Sequence, residues 1–261
     1  MFVFSAACAK KTDAPPKEKQ LISEEIAYSA DSVTMKGFLV YDGEQKGKRP
    51  GVLVVHEWWG HNDYARKRAK MLAEMGYIAF AVDMYGDGKT AGHPDDAGKF
   101  AGEVMKRGPG AKDRFMKAME ILKANPNCDP DKIAAIGYCF GGSTVLNMAR
   151  QGVGLKGVVS FHGGLNTDTP AKKGEVKARV LACIGAADPF IPLEQADAFK
   201  KEMDDAGVNY IFKSYEGAMH SFTNPGADEL GKKFNLPLAY NAAADTSSWN
   251  EMKTFFGEIF K

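Results

Sequence analysis

The chain has 261 residues, of which 44% are hydrophobic and 26% are charged. This composition supports a buried core and excludes a disordered or collagen-like chain. The net charge of +1 argues against a nucleic-acid-binding protein, since neutralising phosphates needs a surplus of basic residues. No apolar run is long enough to span a membrane. Four cysteines are too few for a disulfide scaffold.

The N-terminal residues 1–20 differ from the rest of the chain. A short apolar stretch ends in small residues before Cys8, and a Lys/Pro-rich run follows it. This arrangement resembles the end of a bacterial lipoprotein export signal with the lipid on Cys8, although the usual basic start is missing. The alternative is a polar tether on a cytoplasmic protein. We expect a membrane contact only through that lipid, and a folded domain over residues 21–261.

After residue 20 the hydrophobic pattern alternates between the periods of strands and helices. Segments 22–28 and 33–40 predict a leading hairpin. Further strands are predicted over 51–55, 77–82, 132–137, 155–161, 180–184 and 209–215. Helices are predicted over 62–75, 94–107, 111–124, 142–151, 193–205 and 238–260. This order indicates a mostly parallel α/β sheet with helices on both faces and functional groups at the C-terminal ends of its strands.

The strongest motif is the hexapeptide Gly137-Tyr138-Cys139-Phe140-Gly141-Gly142, which lies between an expected strand and an expected helix. This is the context of the G-x-nucleophile-x-G elbow, a tight turn that presents a nucleophile at the start of a helix. The glycines allow strand and helix to approach closely, and the helix dipole favours a thiolate. We predict Cys139 as the nucleophile. The alternative is a buried cysteine in a glycine-rich turn.

A cysteine nucleophile needs a base, and the base needs an acid that orients it. Elbow enzymes carry these groups in the chain order nucleophile, acid, histidine. Asp188 and His220 follow Cys139 in that order, each in a loop after an expected strand. Alone, Asp188 is typical of a turn or a helix cap, and His220 fits a surface loop as well as a catalyst. Their common position at strand ends predicts a triad with Cys139.

Other histidines and cysteines give little support for different chemistry. No H-E-x-x-H or C-x-x-C spacing occurs, so neither a metal nor another cofactor is expected. Cys128 follows a turn and is interpreted as a loop residue, whereas Cys183 lies within an expected strand and is interpreted as a small buried hydrophobe.

The chain resembles the dienelactone hydrolase family of the α/β-hydrolase superfamily over residues 22–261. The elbow carries this resemblance, together with Asp188-Pro189, His220-Ser221-Phe222 and the segment His56-Glu57-Trp58-Trp59-Gly60. The resemblance implies that Cys139 is the nucleophile, His220 the base and Asp188 the acid that orients it. It further implies that Glu57 contacts the resting thiol and helps to control its ionisation.

The elbow predicts an oxyanion hole, and the resemblance to the family implies an uncharged substrate. One donor is the backbone N–H of Phe140, and the resemblance points to the N–H of Trp58 as the second. Founding members of the family hold an anionic lactone with two arginines, and this sequence has Gly86 and Asn224 at the matching positions. Their loss removes charge-assisted recognition of an anion.

Aromatic residues cluster in the loops around the expected site, and about half of them are expected to face a pocket. The residues predicted to bind substrate are Trp59, Tyr85, Tyr138, His162, Phe190 and Asn224.

These observations predict a hydrolase that acts on neutral small-molecule esters or lactones through a thioester on Cys139, as a monomer or a dimer. Neutral phosphotriesters are an alternative substrate, with the phosphoryl oxygen in the oxyanion hole. Three other functions stay open. They are a non-catalytic ligand-binding protein, a redox thiol paired with Cys128 or Cys183, and a peptidase, although no large cap insertion is visible between the strands.

Overall fold

The computed structural model describes residues 19–30, 32–106 and 109–261, so the expected lipid site on Cys8 lies outside the described residues. The strands are β1 (Leu21–Ala30), β2 (Val33–Asp42), β3 (Arg49–Val55), β4 (Ile78–Val82), β5 (Cys128–Tyr138), β6 (Gly157–Phe161), β7 (Arg179–Gly185) and β8 (Tyr210–Tyr215). The helices are α1 (Asp63–Glu74), α2 (Pro94–Lys106), α3 (Pro109–Ala124), α4 (Phe140–Arg150), α5 (Leu193–Asp205), α6 (Ala227–Phe234) and α7 (Ala242–Ile259). Within these ranges, no helix is both long and apolar enough to cross a bilayer.

The eight strands form one sheet in the order β1-β2-β4-β3-β5-β6-β7-β8. Strand β2 pairs antiparallel with β1 and with β4. All other neighbours pair in parallel, as expected for strands joined by helical crossovers. The predicted mostly parallel sheet with a leading antiparallel hairpin is confirmed.

Helices cover both faces of the sheet, because successive side chains of a central strand point to opposite sides. Leu53 and Val55 of β3 face the core that contains residues of α3, α4 and α5. Val52 and Val54 face the opposite core, which contains residues of α1 and α7. All four side chains are fully buried, as their continuous apolar run predicts for a central parallel strand.

The region before the last helix differs from the sequence-based expectation. That helix begins at Ala242 rather than Leu238, and the short helix α6 precedes it. Between them, the backbone N–H of Ala239 donates to the His220 carbonyl at 3.2 Å, so this segment runs along the histidine loop. Pro237 has no N–H and is strongly disfavoured in the interior of a helix, so α6 and α7 do not join into one helix through this segment. We call residues 235–240 the strap.

The parallel strands all end at the same edge of the sheet. The chain leaves β3, β5, β6, β7 and β8 there, and the next residues or loops contain Glu57, Cys139, His162, Asp188 and His220 respectively. The fold therefore brings residues that are up to 163 positions apart in the chain into one region.

Candidate active site

Cys139 lies in the turn between β5 and α4 with a left-handed backbone, at φ 51° and ψ −114°. Flanking glycines make this turn possible. A Cβ on Gly137 would lie 2.1 Å from the carbonyl oxygen of Gly141, and a Cβ on Gly141 would lie 2.2 Å from that of Val55. Both distances are far inside van der Waals contact. Only glycine permits such a close approach of strand and helix, and this approach sets Cys139 at the helix N-terminus.

His220 connects Cys139 to Asp188. Its Nδ1 lies 2.8 Å from Asp188 Oδ2. Its ring lines the same cavity as Cys139 and is near enough for the charge of Cys139 to raise the pKa of His220. Asp188 is 4% exposed, and its second oxygen accepts the N–H of Phe190 at 2.9 Å. The acid is thus held on both oxygens, and one edge of the imidazole is held toward the sulfur.

The electrostatics of His220 favour its charged form. Burial has the largest single effect and lowers the pKa of His220, but the charge of Cys139 and the hydrogen bond and charge of Asp188 together raise it by more. The resulting pKa lies above the ordinary value of histidine. This is the direction expected for an imidazolium beside a thiolate and a carboxylate.

Glu57 lies beside the histidine loop and is almost completely buried. Its carboxylate accepts hydrogen bonds from Ser221 Oγ at 3.0 Å and from Asn224 Nδ2 at 2.7 Å. Burial raises the pKa of Glu57, while these two hydrogen bonds and the nearby His220 and Arg68 oppose the rise. The contact with the thiol that the family resemblance implies for Glu57 stays a prediction.

An apolar cavity of about 410 Å³ opens above the cysteine. Three aromatic residues named from the sequence line it: Trp58, Phe140 and Phe190. The Phe190 ring is perpendicular to that of His220, with centroids 5.0 Å apart. Among the described residues that line the cavity, His220 is the only basic one. A larger cavity of about 620 Å³ lies further along α4, and none of the described residues lining it is a predicted site residue.

Three aromatic residues predicted to bind substrate are instead used in packing. Trp59 is 4% exposed and stacks on Phe234 of α6, at 5.8 Å between centroids. Tyr85 is buried, and its hydroxyl donates to the carbonyl of Trp58 at 2.9 Å. Tyr138 is fully buried and stacks on Phe161 at 4.9 Å. Each ring fills space between elements that come together only in the folded chain.

His162 and Asn224 also occupy places other than the predicted pocket. His162 is fully buried, and its Nδ1 accepts the N–H of Cys139 at 3.1 Å. Asn224 is 7% exposed. Its amide donates to Glu57, and its oxygen accepts the N–H of Gly226 at 2.9 Å. Both side chains already have protein partners, so they contribute to the support of the site rather than to its walls.

Several residues of the cavity wall were not expected from the sequence. They are Ala101, Ser143, Gly164, Leu236 and Leu238. Leu236 and Leu238 of the strap follow α6, and the residues at both ends of α6 are typical of helix ends. Two acidic residues lie in its first turn and two lysines in its last, and it ends at Asn235 in a left-handed conformation. Helix-end rules of this kind identify short helices that are missed by periodicity.

The other described cysteines do not line the cavity and are expected to be poor nucleophiles. Cys128, Cys139 and Cys183 are free thiols. The interpretation of Cys128 as a loop residue was wrong, because it is the buried first residue of β5. Burial raises the pKa of Cys128 and of Cys183 to about 12, so both stay protonated near neutral pH. In the part of the chain that the structure describes, no cluster of three or more His, Cys, Asp or Glu side chains could hold a metal ion.

Comparison with known proteins shows the family to which the chain belongs. Residues 35–260 match the model of the dienelactone hydrolase family. A dienelactone hydrolase-like promiscuous phosphotriesterase from metagenomic libraries is 34% identical, with a TM-score of 0.86 over 92% of this chain and 98% of that chain. A protein called m3DLH is 38% identical, with a TM-score of 0.87 over 92% and 99%. Protein usf of Aquifex pyrophilus is 27% identical over 89% of this chain and 97% of its own length. The chain therefore belongs to the dienelactone hydrolase family and is a hydrolase with the α/β-hydrolase fold.

Proposed function

We propose that this protein hydrolyses neutral carboxylic esters or lactones through a thioester on Cys139. The observation that carries the proposal is the hydrogen bond between Asp188 and His220, together with the position of His220 and Cys139 in the wall of one apolar cavity. A thiol, a base and an orienting acid in contact are the minimum set for nucleophilic acyl transfer.

In the first half of the reaction, the Cys139 thiolate attacks the carbonyl carbon and forms the C–S bond. The backbone N–H groups of Phe140 and Trp58 stabilise the oxyanion. Phe140 is the first residue of α4, where N–H groups have no partner within the helix. Each such donor is typically worth about 2.7–4 kcal/mol in the transition state. The His220 imidazolium protonates the departing alkoxide, so the alcohol leaves neutral.

In the second half, neutral His220 removes a proton from water as the water attacks the thioester. The C–S bond breaks, the acid leaves, and the thiolate–imidazolium pair is restored. Asp188 keeps Nδ1 of His220 occupied, so that Nε2 faces the sulfur and the reacting groups. The positive charge of His220 opposes the rise that burial causes in the pKa of Glu57.

The preference for neutral substrates is supported by the residues at the two arginine positions of the family's founding members. Gly86 has no side chain to offer a charge, and the Asn224 amide is bonded to Glu57. The cavity walls are apolar. An anionic lactone would lose its hydration there without a charged partner, which is unfavourable.

Phosphotriesters are the second candidate substrates, and the 34% identical phosphotriesterase favours them. Cys139 would attack phosphorus, with the phosphoryl oxygen directed at the Phe140 and Trp58 N–H groups. His220 would assist the departing aryl oxide, and water would then cleave the S–P bond. This reaction needs the same groups as ester hydrolysis and no additional charge in the cavity.

The test is a substrate panel of neutral aryl esters, neutral and anionic lactones, and an aryl dialkyl phosphate. We expect turnover of the neutral esters or lactones, and a loss of about 10³-fold or more in kcat for Cys139→Ala. Cys183→Ala, which removes a thiol remote from the cavity, serves as the control and should keep kcat. Mass spectrometry of a slowly hydrolysed ester should detect the acyl group on Cys139.

Two results would contradict the proposal. Unchanged ester turnover by Cys139→Ala would exclude the thiol mechanism, and a strong preference for the anionic lactone would exclude the argument from the missing arginines. Failure to turn over any substrate would favour the ligand-binding alternative.

A further inference from the structure

His162 is a fully buried histidine that contacts both reacting groups of the proposed mechanism. It follows β6 directly and has φ 40°, a left-handed backbone conformation like that of Cys139. The N–H of Cys139 is shared between His162 Nδ1, at 3.1 Å, and the carbonyl oxygen of Phe161, at 3.0 Å. The His162 ring meets that of His220 edge-on, with centroids 5.3 Å apart. The backbone N–H of His162 donates to Cys183 O at 2.8 Å, which anchors the residue to β7.

The second ring nitrogen begins a buried series of polar contacts. Nε2 of His162 lies 2.7 Å from Thr223 Oγ1, which lies 2.6 Å from the Tyr64 hydroxyl. Arg68 Nε donates to that hydroxyl at 3.2 Å. A second guanidinium nitrogen of Arg68 donates to the Thr223 carbonyl at 2.5 Å and to Asp245 at 2.6 Å. The series thus joins the elbow to α1, to the histidine loop and to α7.

These contacts determine the protonation state of His162. Because Nδ1 accepts the N–H of Cys139, the proton of the neutral ring lies on Nε2 and is donated to Thr223. Burial lowers the pKa of His162 well below its ordinary value, and the positive charges of His220 and Arg68 lower it further. Two histidines in ring contact are therefore kept in opposite states, with His162 neutral and His220 favoured as the cation.

We propose that His162 is a positioning residue, which orients the Cys139 elbow toward His220 and whose tautomer is set by Thr223. This inference rests on the proposed cysteine mechanism. In the opposite tautomer, an N–H on Nδ1 would point at the N–H of Cys139. The nucleophile would then lose one of the two acceptors of its N–H and keep only the Phe161 carbonyl.

The experiment compares variants that differ by one hydroxyl. Thr223→Val removes Oγ1 but keeps the shape of the side chain and the backbone carbonyl that Arg68 binds. Thr223→Ser keeps the hydroxyl. We expect Thr223→Val to lower kcat for a neutral aryl ester by about 10- to 100-fold, the range for a small misplacement of reacting groups. KM should change by less than about threefold, and Thr223→Ser should resemble the wild type.

A second pair varies the acceptor itself. Asn tolerates a left-handed backbone, and its Oδ1 stands where Nδ1 of histidine stands. His162→Asn should therefore keep more of the wild-type kcat than His162→Leu, which has no acceptor. If His162→Leu does not fold, the Thr223 pair decides the question alone.

The decisive readout is the rate at which iodoacetamide alkylates Cys139, measured as a function of pH and localised by mass spectrometry. It needs no substrate, and a merely stabilising role for His162 would not change it. A shifted pH profile in Thr223→Val but not in Thr223→Ser supports the inference. A folded Thr223→Val with wild-type kcat and an unchanged alkylation profile overturns it, even if its melting temperature falls. Absence of ester turnover by the wild type, beside a shifted profile, would instead count against the proposed function.

Discussion

At the scale of single residues, the candidate site concentrates backbone strain. Cys139, His162 and Ser221 all adopt positive φ, at 51°, 40° and 58°. Such conformations cost on the order of 1–3 kcal/mol each and persist only where neighbours enforce them. Here Cys139 donates its N–H to His162 and to the Phe161 carbonyl, and Ser221 donates its hydroxyl to Glu57. The site is therefore held by polar contacts rather than by local propensity.

Glu57 provides a prediction about pH and stability. Its pKa is raised by burial from 4.5, so the native state binds the proton more tightly than the unfolded chain does. The favourable contribution of this group is complete below about pH 4.5 and is lost as the pH rises through the folded pKa. Glu57→Gln should therefore raise the urea midpoint at pH 7 to 8, and the difference from the wild type should disappear near pH 4.5.

The control for this prediction is Glu24→Gln on β1, where the side chain is exposed. It should change the free energy of unfolding by less than about 0.5 kcal/mol at any pH. A Glu57→Gln variant that is less stable than the wild type at pH 8 would contradict the prediction. It would mean that the hydrogen bonds from Ser221 and Asn224 outweigh the penalty of burying the charge.

At the scale of elements, the junction of β5 and α4 depends on the absence of side chains. A Cβ on Gly141 would lie 2.2 Å from Val55 O and 2.7 Å from His56 O, both of them backbone atoms. Gly141→Ala should lower the free energy of unfolding by about 1–3 kcal/mol and should lower kcat, because α4 and its first N–H groups must shift. Urea denaturation and ester kinetics measure the two effects.

Gly98 on α2 is the matched control, since a Cβ there meets nothing within 4 Å. Gly98→Ala should stabilise the protein by up to about 1 kcal/mol through helix propensity. Equal changes in the free energy of unfolding for Gly141→Ala and Gly98→Ala would contradict the prediction. They would show that the junction of β5 and α4 has room for a side chain at position 141.

The strap provides a prediction about specificity. Leu236 and Leu238 form part of the cavity wall, and Leu236 is only half-buried, so its truncation should enlarge the cavity with little loss of stability. Leu236→Ala should raise kcat/KM for bulky acyl groups relative to acetyl, by about 10-fold for one or two methylene groups. Leu193→Ala is the control, because Leu193 is 70% exposed. An unchanged ratio would indicate that acyl groups bind elsewhere in the cavity.

At the scale of the whole molecule, buried arginines join distant parts of the chain. Arg150 at the end of α4 donates two hydrogen bonds to Glu202 of α5, both at 2.8 Å, and a third to the carbonyl of Leu165. The pair links the helix after the nucleophile strand to the helix after the strand that leads to Asp188. Both side chains are largely withdrawn from solvent, so each needs its partner.

Removing only one partner of the Arg150–Glu202 pair should destabilise the fold more than replacing both partners by apolar residues. Arg150→Met alone should lower the free energy of unfolding by about 3–5 kcal/mol, since it leaves the Glu202 carboxylate without its cation. Arg150→Met combined with Glu202→Leu should recover part of that loss. A double-mutant cycle from urea denaturation measures the coupling, and additive effects would contradict it.

Local patterns account for the features that the sequence predicted correctly. The continuous apolar run of β3, the helix over Leu193–Asp205 and the leading hairpin depend on periodicity within a few residues. Helix α6 was missed because it has only eight residues, too few for a clear period. The strap that follows it delays the start of the next helix to Ala242. The placement of Cys139, Asp188 and His220 followed from the order of strands, since parallel strands deliver their loops to one edge.

By itself, then, the sequence determined the class of sheet and the elbow, because both arise from short-range sterics and hydrophobic period. Tertiary structure alone decided which aromatic rings line the cavity, that Asn224 binds Glu57, and that His162 accepts the N–H of Cys139. Those outcomes depend on which side chains meet across α1, the strap and the strand ends. Contacts between residues far apart in the chain leave no periodic trace in a single sequence, so only the packed structure shows them.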